Sequence, residues 1–416
     1  MSVVALVDAY APSMQLTKAF LNAGCEVVRV QSTAEVPPFY RSALATDEFA
    51  DNIVHTGDLG ETAAAVGKHE PVAVLAAGEL GVELADQLSE ALGLPTNGTS
   101  LSLARRDKYV QIETIKAAGL RGARQLLVTD ADALTEWHRA IGGRVVVKPL
   151  RSAGNDGVSN CDTPAESVAA YRAILDQTTI FAERNDAVVA QEYLTGGEYV
   201  VNTVSRDGCH RATDLWKYSK MAIGGGARDR ITGAHLIGTD SPLRHQLIDY
   251  AFAVLDALGI THGPAHLEVI LTEDGPCLVE VGARICGANK AYYADLAAGE
   301  SQLEWTVDAY LNPARFLADY QRPYQVRNHV AISWPTSPVA GTLRSYPLLD
   351  TVRGLESVTN VEIYVEPGGQ VPETIDDSSK AMAIGLAHGC EEIVNRDFAT
   401  IAYLDGPGFY ELEEQQ

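Results

Sequence analysis

Apolar positions along the first hundred residues switch between two periods. VVALVDA and CEVVRV are short continuous apolar runs of the kind left by a strand buried on both faces. Between them, Pro12 to Gly24 places Leu16, Ala19, Phe20 and Ala23 at helical spacing. VAVLAAG, from Val72 to Gly78, is a further strand. ELGVELADQLSEALG is a helix that closes on Gly93 with Pro95 shortly after, the order in which helices stop. Strand and helix in alternation predict a parallel sheet covered by helices, a Rossmann-like unit over residues 1–100. The first strand–helix turn reads VDAYAPSMQL and carries no GxGxxG, so the unit is expected to act as scaffold and substrate surface.

From Ser100 to Gly119 the pattern predicts one helix, with Lys108 in its middle, and Asp130 to Ile141 a second that leads into the strand RVVVKP. In T-P-A-E, Thr163 is the N-cap, Pro164 the first helical residue and Glu166 the third, so a helix runs to about Gln177. Residues 187–220 turn β-rich, with an Asp207-Gly208 turn, and helix returns from Ser241 to Leu258. The last ~110 residues are mixed, and no repeat is present.

His262 to Gly282 reads as a hairpin around Glu273-Asp274-Gly275. If Thr272 pairs with Pro276, counting outward sets Glu268 opposite Glu280 on one face, with Cβ atoms roughly 4.5–5.5 Å apart. Opposed like charges destabilise a ladder unless one is protonated or a cation stands between them. Carboxylates combined with phosphate are a ligand set that Mg²⁺ takes; an exposed strand face with both glutamates in water is the alternative.

Two further segments carry polar chemistry. In VVVKPLRSAGNDGVS a strand delivers Lys148, and Gly154 and Gly157 follow, a loop whose N–H groups can approach phosphate, although no GK[ST] ends it. An ordinary surface turn would look the same. QEYLTGGEYVV sets Gln191, Glu192 and Glu198 around a strand–turn–strand crossing that can offer main chain to a flat base and a carboxylate to a ribose, or else is a plain hairpin.

In this order, KPLRSAGNDGV, QEYLTGGEYVV and LVEVGARICG resemble the ATP-grasp superfamily over roughly residues 100–290, and within it the L-amino-acid ligase (dipeptide synthase) branch. The resemblance implies an α/β fold, α+β in its catalytic part. Its units would be the N-terminal one, an ATP-grasp unit over 101–300 with a lid at about 144–191, and an α+β unit over 301–416. It implies that Lys108 and Lys148 hold ATP phosphates, that Ser152 to Gly157, with Gly154 and Asn155, forms the lid loop, and that Gln191, Glu192, Tyr193 and Leu194 form the adenine hinge. Glu198 would meet ribose, Glu268 and Glu280 would bind Mg²⁺ or Mn²⁺, Arg284 would steady the reacting acyl group, and His235 would belong to the substrate pocket. Many superfamily members carry Asn two residues after the second glutamate, where this chain has Gly282; the amino-acid ligase branch reads E-x-G-A-R there.

The implied activity is ATP-dependent ligation of a small carboxylic acid to an amine, with amino acids the expected partners, through an acyl phosphate, with ADP and phosphate released. A carboxylase or purine-pathway type using bicarbonate or formate, and a non-catalytic nucleotide-binding protein, are the rivals. Composition narrows the partners. A formal charge of −23 repels polyphosphate backbones, so nucleic acid is not expected. No apolar run approaches the ~18 residues of a membrane span, and MSVVALVDAY lacks the basic start of a signal peptide, which points to the cytoplasm. Six cysteines without CxxC spacing read as reduced thiols, and the family expectation is a homodimer.

Overall fold

The protein is described from a computed structural model covering residues 1–10, 14–37, 40, 48–223 and 228–414. Strands β1 (Val3–Val7), β2 (Glu26–Gln31), β3 (Asp51–Val54) and β4 (Ala73–Ala76) form a parallel sheet in the order β3-β2-β1-β4. Pleating sends Val4 and Leu6 to one face, against Leu16 and Phe20 of α1 (Met14–Asn22). Ala5 and Val7 go to the other, against Val66 of α2 (Leu59–Gly67) and Leu88 of α3 (Val82–Ala91). The expected helix start at Pro12 lies outside the described residues.

The single helix expected over Ser100–Gly119 is divided. A 3₁₀ turn at Leu103–Arg105 stops before Asp107, whose carboxylate accepts from the N–H groups of Tyr109 and Val110 at 3.0 Å and so starts a new helix, α4 (Lys108–Ala117). An aspartate satisfies orphan N–H groups better as a cap than inside a helix, and Lys108 is therefore the first residue of α4 instead of a mid-helix one.

A second sheet takes β5 (Gln125–Val128), β6 (Val145–Pro149), β7 (Ser159–Cys161) and β8 (Val188–Glu192) in the order β5-β8-β6-β7. It is covered by α5 (Ala131–Ile141) and α6 (Pro164–Leu175). The capping box foreseen at Thr163 and Glu166 is formed.

The third and largest sheet is built on β9 (Gly197–Arg206), β10 (Cys209–Ile223), β11 (Arg228–Leu236), β12 (Gly263–Thr272) and β13 (Gly275–Gly282). Helix α7 (Leu243–Ala257) closes its core with Leu247, Ala251, Val254 and Leu255. After α8 (Lys290–Ala298), α9 (Gln302–Leu311) and α10 (Pro313–Asp319), strand β14 (His329–Ser333) pairs with β11 and carries the sheet onward. β15 (Gly341–Ser345) leaves it, α11 (Leu349–Arg353) follows, and β16 (Val358–Ile363) returns. β17 (Gln370–Val371) joins β15, β18 (Met382–His388) inserts between β14 and β16, and α12 (Glu391–Leu404) precedes β19 (Glu411–Leu412). The eight-stranded order is β13-β12-β9-β10-β11-β14-β18-β16, so residues 301–416 extend the sheet of the preceding unit. All six cysteines are free, and no described helix is long and apolar enough to cross a membrane.

Candidate active site

The hairpin β12–β13 turns more tightly than the sequence count assumed. Thr272 pairs with Gly275, leaving Glu273-Asp274 as a two-residue turn, and the ladder runs in that register to Val269↔Leu278. A bulge then inserts Val279, and the next pair is Glu268↔Glu280. The one residue missing from the turn is restored by the bulge, so the two glutamates stand opposite each other as expected while the pairing assumed for Thr272 does not occur. Glu268, Val279 and Glu280 all line a pocket of about 320 Å³ between the second and third sheets.

That pocket gathers the cations. The Lys108 ammonium, at the start of α4, lies 2.7 Å from Glu280 Oε2 and donates to the Ser152 carbonyl at 2.6 Å. Lys148, at the end of β6, is 5 % exposed and directs its Nζ toward the Val279 carbonyl at 3.5 Å; burial, with Lys108 nearby, lowers its pKa to about 8. Lys220 of β10 forms an ion pair with Glu198, and burial still pushes Glu198 up to about 7. Burial acts on Glu268 too, but His266 and the surrounding cations outweigh it and hold that carboxyl down at about 2.

The loop after β6 is held by its own polar groups. Ser152 Oγ donates to Asp156 at 2.6 Å, and the same carboxylate accepts from the Ile180 N–H. Gly154, Asn155 and Gly157 all take positive φ, and a Cβ on Gly157 would stand 2.9 Å from Pro149. The Gly154 carbonyl accepts from Asp377 N–H, so the C-terminal segment touches the loop. Gln191, Glu192, Tyr193 and Leu194 line the pocket beyond it. The segment is no hairpin, because β8 pairs with β5 and β6 while β9 pairs with β10 and β12; it crosses from one sheet to the other. Glu192 is tied to Arg124 at 2.6 Å and Gln191 donates to Gln125 at 2.9 Å.

Arg284 is anchored from the N-terminal sheet. Its Nε donates to Glu79 at 2.9 Å, and Glu79, after β4, also receives Arg106 at 3.0 Å. Burial would raise Glu79, but Arg284 and Arg106 together hold it below the usual carboxylate range. This pair also accounts for Gly282, since a Cβ there would approach Glu79 Oε2 to 2.9 Å. Glu79 escaped the sequence reading because it lies 205 residues from its partner.

His235 is not brought into the pocket. Thr232 is an extra residue in β11 opposite Ser219 and Lys220, and beyond it the faces exchange. Ile231 faces the pocket, whereas His235 packs its ring on Phe398 of α12 at 4.3 Å. The histidine beside the carboxylates is His266, with Nε2 3.5 Å from Glu268 and Nδ1 2.8 Å from Asn202; Asn202 in turn donates to Asp214, which also accepts from the Trp216 indole at 2.6 Å. A spacing of two along a strand puts His266 and Glu268 on one face, a signal the sequence offered. Trp216 is fully buried, while Lys220 lines the pocket.

Residues 141–291 match the model of the ATP-grasp domain. Over 385 residues the chain is 32 % identical to dapdiamide A synthase of Enterobacter agglomerans, which spans 90 % of this chain and 89 % of that one. The chain belongs to the ATP-grasp ligases. The L-arginine-specific L-amino acid ligase of Bacillus subtilis is 21 % identical over 69 % of this chain and 68 % of its own. The crystal structure of L-amino acid ligase from Bacillus licheniformis superposes with a TM-score of 0.77 at 17 % identity, covering 100 % of this chain and 99 % of that one, so the fold is shared over the full length. As an ATP-grasp ligase, the protein makes a C–N amide bond in an ATP-dependent reaction.

Proposed function

We propose that this ligase joins a small carboxylic acid to an amino acid, giving a dipeptide-like product, with magnesium or manganese as the metal. The observation that carries the reading is the opposed pair Glu268 and Glu280, facing one pocket with Lys108, Lys148 and the Gln191–Leu194 crossing. The names of the relatives favour amino acids over bicarbonate as the substrate class.

Fit to the metal can be judged on the donors. Among the described residues no cluster of three or more His, Cys, Asp or Glu side chains surrounds one point, so Glu268 and Glu280 would supply two ligands and leave the rest to phosphate and water, as Mg²⁺ prefers. Lys108 already places a cation on Glu280, so the site is built for positive charge there. When bound, ATP and metal supply the phosphoryl group and the neutralised charge that activate the acid as an acyl phosphate. Lys148 and Lys108 would hold phosphate oxygens, the Ser152–Gly157 loop would cover them, and Glu198 would accept from ribose. Arg284, fixed by Glu79, would steady the developing oxyanion. His235 is left out of the reacting group. The division at residues 100 and 300 is proposed as a functional one, into substrate surface, ATP-binding unit and acceptor side.

The test is ADP release across a panel of carboxylic acids and amines with Mg²⁺. Release requiring both an acid and an amine is expected. Release that follows bicarbonate without an amine, or none across the panel, would overturn the proposal.

A further inference from the structure

Lys290, the first residue of α8, is 4 % exposed, and among the described residues its ammonium has neither a hydrogen-bond acceptor nor an ion-pair partner. Its Nζ lies 5.2 Å from the centre of the Tyr218 ring and 5.3 Å from that of Trp334. Lys380 stands 4.4 Å over the same Trp334 ring but is neutralised by Asp377 at 2.6 Å. Aromatic faces offset only part of the cost of burying an ammonium, and a buried charge without a counter-ion is retained where a ligand supplies one. In a chain with 55 acidic and 32 basic residues, acidic partners for a lysine are plentiful, yet none is in hydrogen-bond or ion-pair contact with it, and Glu268 and Asp377 act on it only from farther off.

The position is next to the chemistry. The Tyr218 hydroxyl donates to Glu268 Oε1 at 3.2 Å while its ring carries Lys290, and Asp377 lines the nucleotide-side pocket. Lys108 and Lys148 line the pocket together with Glu268, whereas Lys290 does not line it. The N-terminus of α8 adds its dipole, since the Asn289 side chain does not cap it.

We propose that Lys290 binds a substrate carboxylate that does not react, with Tyr218 and Trp334 flanking the organic part of that substrate. The proposal rests on the ligase reading and names a recognition element for it. Two sources share the chemistry: the α-carboxylate of the amine substrate, and a second carboxylate on the acid substrate.

The experiment uses Lys290→Met in the full chain. The variant should raise KM for the carboxylate-bearing partner by about 10- to 100-fold with kcat nearly unchanged, the signature of lost uniform binding. Amino acids compared with their carboxamides, and dicarboxylic acids compared with their monoamides, identify which substrate is held; on the neutral analogue, wild type and variant should converge. Removing an unpaired buried charge should also raise Tm, which a structural lysine would not do. Unchanged KM for every partner, equal losses on carboxylate and carboxamide, or a lowered Tm would each overturn the proposal. If the wild type releases no ADP with any pair, the ligase reading fails. Calorimetric titration of the same carboxylates then tests Lys290 separately, and equal binding, or none, to both proteins counts against it.

Discussion

The hairpin β12–β13 and the loop after β6 face each other across one pocket and hold their polar groups in different ways. In the hairpin, register sets the geometry: a ladder and one bulge fix Glu268 against Glu280, His266 stands two residues along the same strand, and the neighbouring strands bring Glu198 and Lys220 beside them. In the loop, positive-φ positions and one carboxylate, Asp156, shape the main chain, and Lys108 spans from Ser152 to Glu280. The first wall offers rigid charge that must be countered; the second offers main-chain groups and close approach. Phosphate held between them would meet the cations that counter those carboxylates on one side and adaptable N–H donors on the other.

The strongest way to break this contrast is Glu280→Gln, which should lower ADP release by more than about 100-fold, beyond the usual cost of losing an outer metal partner, with circular dichroism unchanged. Unaltered turnover would remove the charged wall from the mechanism. Next in size, His266→Ala should weaken Mg²⁺ affinity in the nucleotide complex by about 10- to 100-fold, as loss of a partner to a metal-binding carboxylate does, whereas His235→Ala should leave it alone. Equal effects of the two would dissolve the distinction between the faces of β11 and β12.

A smaller effect follows from Lys148. Its folded pKa of about 8 lies below the roughly 10.4 of an unfolded lysine, so between those values the unfolded chain binds the extra proton and stability rises with pH. ADP binding runs the other way: above about 8 the lysine must regain its proton, and affinity should fall by up to about tenfold per pH unit. Lys148→Met should flatten that profile, and a slope that survives the substitution would assign it elsewhere. Smallest is Gly157→Ala, which at φ +69° and 2.9 Å from Pro149 should cost about 1–2 kcal/mol in thermal or denaturant unfolding. No measurable cost would show that the loop relaxes freely.

The same contrast decides what could be read from sequence. A strand has a period of two, so the relation of Glu268 to Glu280 could be counted, and it survived a wrong turn length because the bulge supplied the missing residue. Thr163 and Pro164 announced α6 through local hydrogen bonding. Lys108 was misplaced because helical periodicity continues through Asp107, while the chain uses that carboxylate as a cap. Glu79 with Arg284, Tyr218 with Lys290 and His235 with Phe398 depend on how distant elements meet, and no local pattern encodes them.

The continuous sheet has a consequence for recombination among such ligases. β11 is joined to β14 through Gly233↔Ser333, Ala234↔Ile332 and His235↔Ala331. Exchanging residues 301–416 with those of a relative to alter acceptor choice would cut along this seam and leave β11 with an open row of N–H and C=O groups unless the incoming strand matched it. A viable crossover would carry β11 and β14 together, and Tyr218 with its neighbours would have to travel in the same block as Trp334 and Lys380.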